Sequence, residues 1–120
     1  MMTPKEMAEL IVTTLDRKMA RDLKLLRVTD VTVLADYFVI CTATSTTQIK
    51  TLADEVEAAV EAKGENKLHR EGYRGGGWVL IDFGCVVVHL FMEEAREFYN
   101  LERLWADAEE IDISALVIDR

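Results

Sequence analysis

The run W-V-L-I-D-F-G-C-V-V-V-H-L-F at residues 78–91 constrains this chain more than any other stretch. Two blocks rich in β-branched and aromatic residues flank Gly84, and glycine followed by cysteine suits a two-residue type II′ turn, so the run reads as a β-hairpin. The turn sets the register. With Phe83 opposite Val86, Ile81 faces Val88 and Val79 faces Leu90, which leaves one face with large apolar side chains only, a core face. The other face pairs Trp78 with Phe91, Leu80 with His89 and Asp82 with Val87. Bulky apolar groups mixed with two polar ones fit either a face covered by a helix or one offered to a partner.

A hairpin alone is not stable, so the rest of the chain must supply more strands or covering helices. Thr3-Pro4-Lys5-Glu6 is a helix start, with threonine as N-cap, proline at the first position and glutamate three residues after the cap. Met7, Leu10, Ile11, Leu15 and Met19 follow at helical spacing, which predicts a helix to about Lys18. Leu23, Leu25, Leu26 and Val28 suit an extended segment, and Tyr37-Phe38-Val39-Ile40-Cys41 has the unalternating look of a central strand covered on both sides. Ser45 with Gln48 reads as a second capping box, after which Ile49, Leu52, Ala53, Val56 and Val60 lead to Gly64 at the helix end. A weak strand is expected at 66–70. The glycines at 75–77 predict a mobile loop before Trp78. Glu93-Glu94 then places acids at the positive end of a further helix, in which Phe98, Leu101, Leu104 and Trp105 share a stripe beside Tyr99 and Glu102. Helix, strand, strand, helix, strand, hairpin and helix make an α/β fold: a mixed β-sheet flanked by helices. The domain is expected to span residues 1–105. An acidic C-terminal tail at 106–120 is expected to be loosely attached, with Ile111, Ile113, Leu116 and Val117 as the residues able to dock.

Charge narrows the class of partner. Twenty-two acidic residues against 14 basic leave a net charge of −8 over 120 residues, with no clustered basic patch, so no direct grip on nucleic acid is expected. A surface of that sign favours a basic protein partner, and it also serves solubility. No apolar run approaches the length of a membrane span and no basic-then-apolar leader opens the chain, which makes the cytoplasm the expected location. Cys41 and Cys85 sit inside apparent strands and form no CxxC motif, so buried reduced thiols are expected in place of a metal site.

Catalytic chemistry has little to stand on. His69 and His89 are the two histidines. His89 shares its strand face with Asp82, an arrangement that could orient an imidazole but more often marks a hydrogen-bonded surface histidine. The hydroxyl-rich turn at 44–47 stands where a strand feeds a helix, an anion-friendly place, yet no phosphate-binding glycine motif accompanies it and hydroxyls are what helix caps use anyway.

Three blocks together carry a resemblance: D-Y-F-V-I-C-T-A-T-S at 36–45, W-V-L-I-D-F-G with V-V-V-H-L-F at 78–91, and E-F-Y-N-L-E-R-L-W at 97–105. In order and spacing they resemble the ribosomal silencing factor family, also called Iojap, over residues 3–105. The resemblance implies a nucleotidyltransferase-like fold without an established transferase activity, and no cofactor is expected. It implies binding to the large ribosomal subunit through ribosomal protein fourteen of that subunit, which blocks subunit joining and represses translation when nutrients run short. By position it implies a partner-binding surface of Trp78, Leu80, Asp82, His89, Phe91, Glu94, Tyr99 and Glu102. The chain departs from the family pattern at Ala43, where glycine is frequent, at 75–77, where the loop is usually more polar, and at Cys85, where an acid is usual. The alternative is a nucleotidyltransferase-like enzyme that binds a nucleoside triphosphate with magnesium, for which Asp82 is the one acid inside an expected strand and leaves the metal site incomplete. An exposed aromatic patch also leaves open a monomer or a weak homodimer.

Overall fold

In the computed structural model, which describes residues 2–72 and 77–118, a six-stranded sheet runs in the order β3-β4-β5-β2-β1-β6. Helix α1 (Pro4–Arg17) precedes β1 (Arg21–Arg27) and β2 (Tyr37–Ala43); α2 (Thr46–Glu61) then leads to β3 (His69–Gly72), β4 (Trp78–Asp82) and β5 (Val86–Met92). Two short helices, α3 (Glu93–Tyr99) and α4 (Leu101–Leu104), and a last strand β6 (Glu109–Ile111) complete the chain. β2 and β5 are parallel neighbours, the chain between them crossing over in α2 to the edge strand β3 and returning through β4, and the other neighbouring strands are antiparallel.

The hairpin forms in the expected register. Val79 pairs with Leu90, Leu80 with His89 and Ile81 with Val88, while the Phe83 N–H donates to the Val86 carbonyl at 2.9 Å. Gly84 turns the chain with a φ of +88°, a left-handed conformation that a side chain would strain. The all-apolar face is core: Ile81, Val86, Val88 and Leu90 are fully buried with Val39 and Cys41, beneath α1 and α2. Each such side chain contributes roughly 1.5–3 kcal/mol by leaving water.

The helices dock there because their caps and stripes agree. The Thr3 hydroxyl accepts from the Glu6 N–H, and the Glu6 carboxylate accepts from the Thr3 N–H in return. Met7, Ile11 and Leu15 are buried, whereas Met19 lies beyond the helix end and is exposed. At α2 half of the expected box forms. Ser45 Oγ accepts from the Gln48 N–H, but the Gln48 side chain reaches one residue further back, to the Thr44 N–H at 2.6 Å.

Two expectations are corrected. The tail is not loose: β6 pairs antiparallel with β1, Ile113, Leu116 and Val117 pack on the core, and the Ile118 N–H donates to buried Asp16 at 3.0 Å. The helix after β5 is not continuous either, because Asn100 adopts a left-handed φ of 46° that divides α3 from α4 and breaks the apolar stripe. Leu101 and Trp105 turn inward, while Phe98 and Leu104 stay 81% and 71% exposed. The expected mobile loop at 75–77 lies outside the described residues except for Gly77.

Candidate functional site

The second face of the sheet is where the fold leaves surface to use. Its inner part is a smaller core of Leu26, Val28, Phe38, Ile40 and Phe91, roofed in part by Leu101, Trp105 and Ala108. Toward β4 the roof ends, and Trp78, Leu80 and Asp82 remain partly exposed. Alternation along β4 puts these three on one side, and the pairing of β3 adds His69 beside Asp82 and Glu71 beside Leu80.

Aromatic rings run continuously from solvent into that core. Phe98 meets Tyr99 edge-on at 5.1 Å; Tyr99 meets Trp78 at 4.6 Å; Trp78 stacks on Phe91 at 5.1 Å. Deeper, His89 lies parallel to Phe91, and Phe38 stands edge-on to both His89 and Trp105. Tyr99 is 46% exposed and Phe91 is fully buried, so the outer members are available for contact and the inner ones hold them in place. Beside these rings, Gly77 approaches α3 closely, since a Cβ there would stand 3.3 Å from Ala95 Cβ.

His89 and Phe91, expected on the docking surface, are buried, 5% and 0% exposed. Their strand alternation is as expected, but α3 and Trp78 lie over them. The Trp78 indole N–H donates to His89 Nδ1 at 3.3 Å, and His89 Nε2 has no hydrogen-bond partner among the described residues. Burial pushes the imidazole down to about 4, so the ring is neutral near pH 7. Nor does His89 pair with Asp82. One Asp82 oxygen accepts from the Gly84 N–H at 2.7 Å, and the other lies 3.7 Å from His69.

Glu102 also departs from the expected outward role. Its carboxylate accepts from Arg96 Nε at 2.9 Å and lies 3.0 Å from Lys24 Nζ; the Arg96 hydrogen bond foremost, then Lys24, holds it below the usual carboxylate range. Glu94 is exposed at the start of α3, as expected. Phe98 and Leu104 were missed because a continuous helix would have buried them. The pattern at 66–70 marks only a weak strand and so does not point to His69 and Glu71, whose pairing with β4 follows once β3 is placed at 69–72.

The hydroxyl-rich turn borders a separate open cavity of about 580 Å³, shared by Thr42, Thr44 and Thr46 with Arg21, Asp22 and Glu93. Acids do approach the turn there. Among the described residues, however, no three His, Cys, Asp or Glu side chains gather closely enough to hold a metal ion. The thiols are free, and burial raises Cys41 to about 12, which leaves it an inert apolar side chain. No described helix is long and apolar enough to cross a membrane.

Known proteins resemble this chain over nearly its whole length. The chain matches the family model described as ribosomal silencing factor during starvation over residues 1–119. It is 35% identical over 116 residues to the ribosomal silencing factor RsfS of Halalkalibacterium halodurans, covering 97% of this chain and 99% of that one. To the ribosomal silencing factor RsfS of Bacillus subtilis it is 36% identical over 112 residues, 93% of this chain and 95% of that one. A crystal structure of a Chromobacterium violaceum protein, 31% identical, superposes with a TM-score of 0.84 over 88% of each chain. The family match takes in residues 106–119, which the three sequence blocks had left out, in keeping with the place of β6 in the sheet.

Proposed function

The chain belongs to the ribosomal silencing factor family, and from that premise we propose that it acts in the cytoplasm by binding ribosomal protein fourteen of the large ribosomal subunit. A domain seated there blocks the small subunit from joining and lowers translation when nutrients run short. The observation that carries this reading is the ring sequence that begins exposed at Phe98 and Tyr99, passes Trp78 and ends in the core at Phe91. Protein interfaces concentrate their binding energy in aromatic anchors of this kind, held rigid from behind and rimmed by charge. The rim here is acidic at Glu71, Asp82, Glu94 and Glu97, with His69 among them, which suits a basic partner and steers its approach.

The mechanism needs no bond to be made or broken. Occupying a joint surface with a 120-residue body is sufficient, and the anchors need only outlast the encounter with the small subunit. The same reading takes the fold as a nucleotidyltransferase-like core put to use as a binding module; the parallel β2–β5 pair with its hydroxyl-rich turn supports that kinship.

Sedimentation of purified large subunits with the protein tests the reading. The protein travels with them, and small subunits added afterwards fail to associate. Trp78→Ala weakens that binding by about 2 kcal/mol or more, with the folded state checked by circular dichroism. Wild-type binding by a folded Trp78→Ala variant refutes the surface; an unfolded variant assigns Trp78 to the core.

A further inference from the structure

We infer that Arg96, through Glu102, is the positioning residue that sets the α3–α4 elbow and thereby holds Tyr99 against Trp78 for docking. This rests on the docking reading above and deepens it.

Arg96 is placed on α3 but bonds to three other elements. Nε donates to Glu102 on α4 at 2.9 Å; Nη1 donates to Thr42 Oγ1 on β2 at 2.8 Å and to the Asp22 carbonyl on β1 at 2.7 Å. Its side chain is 11% exposed, so water competes poorly for these bonds. Both acceptors outside β2 are brought to it by unusual backbone. In β1 the ladder slips between Arg21 and Lys24, two residues facing one, and Asp22 takes a left-handed φ of 49°. A bulge of this kind frees a carbonyl from the ladder and re-aims it. On the other side the left-handed Asn100 turns α4 back so that Glu102, six residues on, meets the same guanidinium. Non-glycine residues in that conformation are held by their surroundings, and here both lie at ends of one hydrogen-bonded knot.

The knot has a specific mechanical place. Tyr99 sits between Arg96 and Asn100, directly before the elbow, and α3 carries no buried residue of its own. Apolar packing of α3 is limited to half-buried Ala95 on the second core and to Tyr99 against Trp78 and Phe91, and the guanidinium fork fixes the rest of its orientation. Lysine cannot replace it, because a single ammonium lacks the planar set of donors that reaches three acceptors at once. It follows that Glu102 serves the surface from inside, as an acceptor for Arg96, and is not itself read by the partner.

The test compares Arg96→Lys, Glu102→Ala, Glu102→Gln and Trp78→Ala in sedimentation with purified large ribosomal subunits, alongside amide hydrogen exchange. Arg96→Lys and Glu102→Ala are expected to weaken binding by about tenfold or more, since side chains left mobile must be ordered on docking. Exchange should quicken at 98–104 and stay unchanged in β2 and β5. Glu102→Gln keeps an acceptor oxygen and loses the charge; it is expected to bind within about twofold of wild type, as a partly exposed charge contributes little by itself. Wild-type binding by Arg96→Lys and Glu102→Ala, with Trp78→Ala impaired, overturns the inference and spares the docking surface. Equal losses in Glu102→Gln and Glu102→Ala overturn it when exchange at 98–104 stays as slow as in wild type, because the partner then reads the carboxylate; equal losses with exchange quickened in both uphold it, the charge paired with Arg96 being what holds the elbow. Undiminished binding by Trp78→Ala brings down both. Should Arg96→Lys fail to fold, the two Glu102 variants decide.

Discussion

The rings of Trp78 and Tyr99 lie 4.6 Å apart, inclined by 47°, and join β4 to the last turn of α3. Inclined pairs at this distance add about 0.5–1.5 kcal/mol beyond the area they bury. The pair stands at the boundary between core and solvent: Phe91 behind it is sealed, and Phe98 in front of it is open.

Tyr99→Ala should therefore separate binding from folding. With nearly half of its surface accessible, the ring has more to lose toward a partner than toward its own core. Affinity for large ribosomal subunits is expected to fall by about 2 kcal/mol while the melting midpoint moves only a few degrees. Titrated sedimentation and thermal melting followed by circular dichroism read the two quantities.

Phe91→Ala should do the reverse. The ring is 0% exposed and packed between Trp78 and His89, so its removal opens a cavity, and unfolding in urea should report a loss of about 3–5 kcal/mol. A loss under about 1 kcal/mol would contradict its place in the second core.

His89 predicts a pH dependence. Its folded pKa is depressed to about 4 from the ordinary 6.5 by burial, so the unfolded chain binds a proton that the folded one refuses. The neutral ring's contribution is intact above pH 6.5, declines as pH falls through the window between the two values, and levels off below about 4. Two and a half pH units correspond to about 3 kcal/mol. Urea unfolding of the wild type at pH 7 and pH 5 should show the loss, and His89→Gln should flatten it. An equal slope in the variant would assign the effect to other groups.

Truncation after residue 106 should destabilise the domain. It removes β6 from the edge of β1 and lifts Ile113, Leu116 and Val117 off the core. It also strips the Ile118 N–H from buried Asp16. Together these are expected to lower stability by about 3 kcal/mol or more, measured by urea unfolding. A truncated chain as stable as the whole would restore the loose tail that composition had suggested.

Local chemistry was legible in the sequence, and tertiary packing was not. Glycine at 84 with alternating apolar neighbours specified the hairpin, its register and its core face, because turn geometry and the period-two pleat act between adjacent residues. The Thr3 and Ser45 caps were legible for the same reason. What the sequence could not show was the cover over each aromatic ring. His89 and Phe91 alternate with the core residues like any surface position; they are buried because α3 and α4 fold back across them, and that path depends on a left-handed Asn100 and on Arg96 bonding across 54 and 74 positions of chain. The tail followed the same logic. Its acidic composition argued for solvent, yet β1 offered an unpaired edge some 80 residues earlier, and a hydrogen-bonding edge is a property of the assembled sheet.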